Sequence, residues 1–127
     1  MPTSITPTEF AERVSKIGPG IKDVVVRHRE FAGDDLLILH VLMADIRRWA
    51  VSSFYNLECE TELSGLMEVL DEALRTGDAA VENAVTVSFV EDSCPWSPRM
   101  SAFLETWPKA LRDDAQRKIS DWDQQGI

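Results

Sequence analysis

Basic residues are nearly missing from the middle of this sequence. Between Glu58 and Glu105 only Arg75 and Arg99 stand against 11 acidic side chains, a net charge of -9. Residues 1–57 hold 7 acidic and 7 basic side chains, and residues 106–127 hold 4 of each. The whole formal charge of the 127-residue chain is therefore concentrated in one stretch. Such a field repels phosphate backbones and anionic headgroups and attracts cationic surfaces, so nucleic acid and membranes are disfavoured as partners and a basic protein is favoured.

Other absences narrow the reading further. There are two cysteines, Cys59 and Cys94, with no C-x-x-C spacing, which reads as two free thiols in a reducing compartment. The longest apolar run, Leu36 to Ala44, is broken by His40 and followed by Asp45, Arg47 and Arg48, too short and too charged for a membrane span. Met1 to Phe10 has neither the basic region nor the apolar region of a secretory signal, so the expected location is the cytoplasm. Gly18-Pro19-Gly20 matches neither a P-loop nor a dinucleotide fingerprint, and G-x-S-x-G and D-x-D-x-D-G are missing.

What is present is enough for one core. With 44% hydrophobic residues, four tryptophans and five phenylalanines, a chain of this length is expected to form a single domain over residues 1–127. Thr6-Pro7-Thr8-Glu9 has the chemistry of a helix start, with Thr6 as N-cap, Pro7 at the first position and Glu9 completing a capping box. Phe10, Val14 and Ile17 continue one apolar face, and Gly18-Pro19-Gly20 is the expected stop. Ile21 to Phe31 fits a helical spacing, although Val24-Val25-Val26 also has strand propensity. After Gly33-Asp34-Asp35, residues Leu36 to Tyr55 read as the most apolar helix, and Leu57 to Arg75 as an amphipathic one with Leu63, Leu66, Met67, Leu70 and Leu74 inward.

Thr76-Gly77-Asp78 reads as a stop and a new cap, followed by a helix over Ala79 to Asp92. Within it Val85 to Val90 alternates enough to suit a strand instead. Ser97-Pro98 restarts a helix, and Pro108 forces a boundary before a last one that Thr106 is expected to cap. The expected fold is an all-α compact bundle of about five to six helices. The alternative is α+β, with short strands near 23–28 and 85–90.

Candidate catalytic groups each have a plainer explanation. His28-Arg29-Glu30 is half of a zinc deaminase signature whose P-C-x-x-C half is missing. His40 lies in the apolar helix without an H-E-x-x-H, E-x-x-H or Cys/His cluster around it, so a packed, hydrogen-bonded histidine is expected. Glutamates beside Cys59, and Glu91 and Asp92 before Cys94, disfavour a thiolate at either position. Glu58/Glu62 and Glu68/Glu72 at i,i+4 read as a solvated helix face. No catalytic residue, cofactor or metal ligand is expected, and the chain reads as a non-enzyme.

Two stretches carry a resemblance. Asp35 to Trp49, with His40, Met43, Asp45, Ile46, Arg48 and Trp49, and Ala79 to Asp92, with Val81, Asn83, Val85, Val87, Ser88, Phe89 and Glu91, occur in this order. They resemble a family of small bacterial helical proteins, some of which are encoded beside polymorphic toxins and act as immunity proteins. The resemblance implies a helical domain without cofactor and a role in neutralising a toxin. It assigns no functional residues, because the shared positions read as core.

Residue reading and resemblance converge on one expectation. The chain would be a bacterial immunity protein or similar inhibitor that covers the basic cleft of a toxin domain with an acidic surface. Glu58, Glu60, Glu62, Glu68, Asp71, Glu72, Glu91 and Asp92 would form that surface, with Trp96 as an aromatic anchor. The alternatives are a generic helical scaffold that homodimerises and, less favoured, a metal-dependent carboxylate enzyme.

Overall fold

The computed structural model describes residues 4–32 and 39–125, and the expected break at Gly33-Asp34-Asp35 and the expected helix start at Leu36 lie outside them. Among the described residues there are seven α-helices and no strand. They are α1 (Pro7–Ser15), α2 (Pro19–Ala32), α3 (Leu39–Tyr55), α4 (Glu60–Thr76), α5 (Ala79–Asn83), α6 (Ser101–Leu104) and α7 (Lys109–Gln125). The all-α reading holds, and the α+β alternative does not: residues 23–28 lie within α2, and residues 85–90 lie in a π-helical stretch, Ala84–Val90, that continues α5.

That stretch is wound wider than an α-helix. Val85, Thr86, Val87 and Val90 are β-branched and crowd the preceding turn of an ordinary helix. It is also the element that α3 packs against most broadly. Ala84, Val85, Ser88, Phe89 and Val90 are buried there against the inward face of α3, which buries Leu39, Leu42, Met43, Ile46 and Ala50. Residues 39–49 and 79–92, the described parts of the two stretches singled out in the sequence, thus meet in the core.

Helix α4 lies at the hub of the bundle, in contact with α1, α3, α5, the π-helical stretch and α7. Leu63, Leu66, Met67, Leu70 and Ala73 are its buried face. The chain before α1 is tied to the same helix. The Ile5 N–H donates to the Thr76 carbonyl at 3.0 Å, the Asp78 N–H donates to the Ile5 carbonyl at 2.9 Å, and Ile5 is buried.

Several helix ends follow the expected chemistry. Thr6 Oγ1 accepts the Glu9 N–H at 3.2 Å, Asp78 Oδ1 accepts the Val81 N–H at 2.9 Å, and Ser97 Oγ accepts the Arg99 N–H at 3.3 Å. Others differ. Helix α1 ends before Gly18-Pro19-Gly20, and Pro19 already opens α2. Helix α4 begins at Glu60 rather than Leu57, because Leu57 and Cys59 both take left-handed backbone angles (φ 56° and 53°) that no helix can include. Thr106 does not cap α7; its hydroxyl donates back to the Phe103 carbonyl at 2.6 Å. No described helix is long and apolar enough to cross a membrane.

Candidate functional site

Three of the carboxylates expected on an outward face are turned to neighbouring helices. Glu62 Oε1 accepts the Ile21 N–H at 3.0 Å, and Asp71 Oδ1 accepts the Leu111 N–H at 3.0 Å. Ile21 and Leu111 are the third residues of α2 and α7, where a helix leaves an N–H for an N-cap side chain to satisfy. The residues placed to cap them are Gly18 and Pro108, and neither has a side-chain acceptor. A carboxylate of α4 does the work instead, in both cases at the positive end of a helix dipole. The other Asp71 oxygen takes Arg75 Nε at 3.2 Å, and Glu72 pairs with Arg13 of α1 at 2.8 Å.

The free carboxylates of this region are Glu58, Glu60 and Glu68. All three are exposed, and no ion pair among the described residues involves them. Glu60 and Glu68 line the same open groove, of about 410 Å3, between α4 and the turn that precedes α7. Phe54, Leu63, Met67 and Pro108 make its apolar surface, and Ser64 and Thr106 add hydroxyls. Glu60, Ser64 and Glu68 recur at intervals of four along α4, so the two acids stand about 12 Å apart along the helix axis.

Glu58 sits just outside that groove in sequence, in the turn Leu57-Glu58-Cys59. Leu57 is 89% exposed and is held at positive φ, a combination that costs a branched residue about 1 kcal/mol and buries nothing in return. Sequence spacing does not single out Leu57 as a contact residue. An apolar residue directly after the helix stop of α3 was a signal, but helical spacing assigned it to the next helix.

The remaining expected site residues lie elsewhere. Glu91 and Asp92 are exposed in a 3-10 turn, Glu91–Ser93, after the π-helical stretch, and Glu91 faces Lys118 of α7 at 3.8 Å. Trp96 is not a free anchor: its ring stacks on Trp122 with centroids 4.4 Å apart and planes within 2°. The expected set therefore divides into Glu60 and Glu68 at one groove, Glu58 in the adjoining turn, three internal partners, and a separate group near α7.

His40 is hydrogen-bonded as expected, but it is exposed near the start of α3 rather than packed in the core. His40 Nδ1 contacts the Ser88 hydroxyl, and Asn83 Nδ2 lies 3.4 Å from His40 Nε2. This joins α3 to the α5/π-helical segment and links side chains from the two stretches that carry the resemblance. Ser88 is only 4% exposed. His28 is buried with Nδ1 3.8 Å from Asp45. A further buried polar group, Asp114, accepts the Thr86 hydroxyl at 2.6 Å and Arg117 Nη2 at 2.9 Å, tying α7 to the π-helical stretch. Cys59 and Cys94 are free and exposed. Among the described residues no three His, Cys, Asp or Glu side chains are grouped to hold a metal ion.

Fold and groove together define a small all-α protein with an acid-lipped apolar groove on its central helix. Comparison with known proteins finds no match: no protein-family model, no curated protein and no solved structure.

Proposed function

We propose that this chain is a non-enzymatic protein-binding protein that seats a basic, apolar-tipped segment of a partner in the groove of α4. The partner in best accord with the charge is a toxin domain that acts on an anionic substrate, so that the chain serves as a bacterial immunity protein. One observation carries the reading. Glu60 and Glu68 flank an apolar surface made by Phe54, Leu63, Met67 and Pro108, and among the described residues neither acid has a cation of its own. A partner side chain of the size of Leu or Phe would fill the apolar part, and flanking Lys or Arg would meet the two acids. Leu57 and Glu58, exposed in the adjoining turn, would extend the contact. Apolar centre and charged rim are the usual division of labour in an interface, the first supplying affinity and the second association rate and selectivity.

The test recovers the partner by pull-down from the native host, purifies it, and measures its affinity over a range of salt concentrations. Affinity is expected to fall with salt, and Glu60→Lys with Glu68→Lys should weaken binding by about tenfold or more, with the melting temperature lowered by no more than a few degrees, since Glu60 lies in the first turn of α4. Unchanged affinity in that double variant, or a salt-insensitive homodimer in light scattering that occludes the groove, would overturn the proposal.

A further inference from the structure

A second groove, of about 670 Å3, opens on the other side of the C-terminal end of α3, and its chemistry is the reverse of the first. No Asp or Glu lines it, although Ser93, Cys94, Ser97, Arg99 and Met100 of its lining belong to the acidic stretch. Arg99, one of the two cations of residues 58–105, forms part of its wall, and Arg99 makes no ion pair among the described residues. The other cation, Arg75, is occupied by Asp71.

Two of the four hydroxyls of the same wall, those of Ser52 and Ser97, have protons to give, whereas Ser93 Oγ donates its own to the Val90 carbonyl at 2.7 Å. Ser52 Oγ accepts Asn56 Nδ2 at 3.1 Å and Ser97 Oγ accepts the Arg99 N–H at 3.3 Å, and in both cases the serine acts as acceptor, which leaves its own O–H unassigned. The Tyr55 hydroxyl donates to the Arg99 carbonyl and so anchors the segment that bears the guanidinium. Val51 and Met100 supply apolar surface between these donors. A wall that includes Arg99, two spare hydroxyl donors and no carboxylate is unsuited to a cation and suited to an anion. Its apolar part is unsuited to a bare inorganic one. The volume falls in the usual range for small-molecule sites, about 300–1,000 Å3.

We infer that this groove binds a small organic carboxylate with an apolar body. Arg99 pairs with the carboxylate, Ser52 and Ser97 donate to it, and Val51, Met100 and the Tyr55 ring face the body. The site is separate from the groove of Glu60 and Glu68 and does not depend on the protein-binding function proposed above.

The chain carries its own reporter. Cys94 lines this groove, whereas Cys59 does not, and both thiols are free and exposed. The full chain is treated with iodoacetamide, and alkylation of each cysteine is followed by peptide mass spectrometry with millimolar 3-phenylpropionate or its neutral amide. The carboxylate is expected to slow alkylation of Cys94 by about fivefold or more, the amide far less, with Cys59 unaffected. Arg99→Gln should abolish the protection and Arg99→Lys should retain part of it, with circular dichroism unchanged in both. No protection of Cys94, equal protection by the amide, or undiminished protection in a folded Arg99→Gln chain would overturn the inference. The carboxylate-to-amide comparison on the unaltered chain decides the matter even if a variant does not fold.

Discussion

Asp71 on α4 accepts the backbone N–H of Leu111 on α7 at 3.0 Å, so the last helix is capped from another helix. The side chain is mostly sheltered and holds Arg75 with its second oxygen. Replacing it by alanine leaves an N–H of the first turn of α7 without its acceptor. Asp71→Ala is expected to cost about 1–2 kcal/mol in denaturant unfolding, whereas Glu68→Ala should stay within about 0.5 kcal/mol. A loss from Glu68 as large as that from Asp71 would mean that the acids of α4 are not divided in this way.

Glu62 and Gly18 should behave as one unit. A Cβ on Gly18 would stand 2.6 Å from Glu62 Cγ and Cδ, so Gly18→Ala must displace the carboxylate that caps α2. Each of Gly18→Ala and Glu62→Ala is expected to lower stability by about 1 kcal/mol, and the double variant by much less than the sum. Additive losses in the double-mutant cycle would show that the two act independently. Charge reversal of Glu62 or Asp71 is for the same reason a poor test of partner binding, since it removes a helix cap.

Leu57 offers a separation of stability from binding. Its φ of 56° suits glycine, and its side chain is 89% exposed. Leu57→Gly is expected to change stability by less than about 1 kcal/mol, relief of the backbone offsetting the added freedom of the unfolded chain. In the proposed complex the same change should weaken partner affinity several-fold. A variant that binds as well as the parent would remove Leu57 from the contact.

Gly77 has no such latitude. A Cβ there would lie 2.4 Å from the Ala73 carbonyl oxygen and 2.8 Å from Val81 Cγ1, and the first of these is backbone. Gly77→Ala is expected to cost more than Gly18→Ala, about 2 kcal/mol or more, because the turn between α4 and α5 must open and disturb the Ile5 bridge. Thermal unfolding of the two variants side by side checks the order.

Asp113 should titrate below the usual aspartate range. The hydrogen bond from Lys109 lowers its pKa most; desolvation is the next largest effect and raises it, and the charges of Lys109, Arg112 and Arg117 lower it further. A depressed folded-state pKa means that the associated stability is present above the unfolded value and is lost as pH falls through the folded one. The carboxylate is on the surface, so the readout is its own NMR titration rather than unfolding. Lys109→Met should move the midpoint upward, and a midpoint that stays where it was would assign the depression to the other charges.

Much of the architecture was legible in residue order. Thr6-Pro7, Asp78 and Ser97-Pro98 are local signals, in which a side chain meets an N–H two or three residues away, and the structure uses all three. The buried faces of α3 and α4 follow from apolar spacing for the same local reason. The absence of a cap was also legible: Gly18 and Pro108 stand where a cap belongs and have nothing to offer. What the sequence alone could not supply was the donor of the missing acceptor, since Glu62 and Asp71 lie about 40 residues away from the N–H groups they satisfy.

The acidic middle shows where the boundary lies. Its existence, its sign and its limits at residues 58–105 are properties of composition and were settled by the sequence. Its subdivision was not. Helical spacing places Glu62, Asp71 and Glu72 outside the apolar stripe of α4, which is correct for the core but silent about the ends of α2 and α7 and the side of α1. Only the tertiary arrangement brings two uncapped N-termini and Arg13 against those carboxylates, and only it leaves Glu60 and Glu68 facing an apolar groove. A charge knows its neighbours in sequence by spacing alone; which of them it spends on the fold and which it leaves for solvent depends on elements that arrive from elsewhere in the chain.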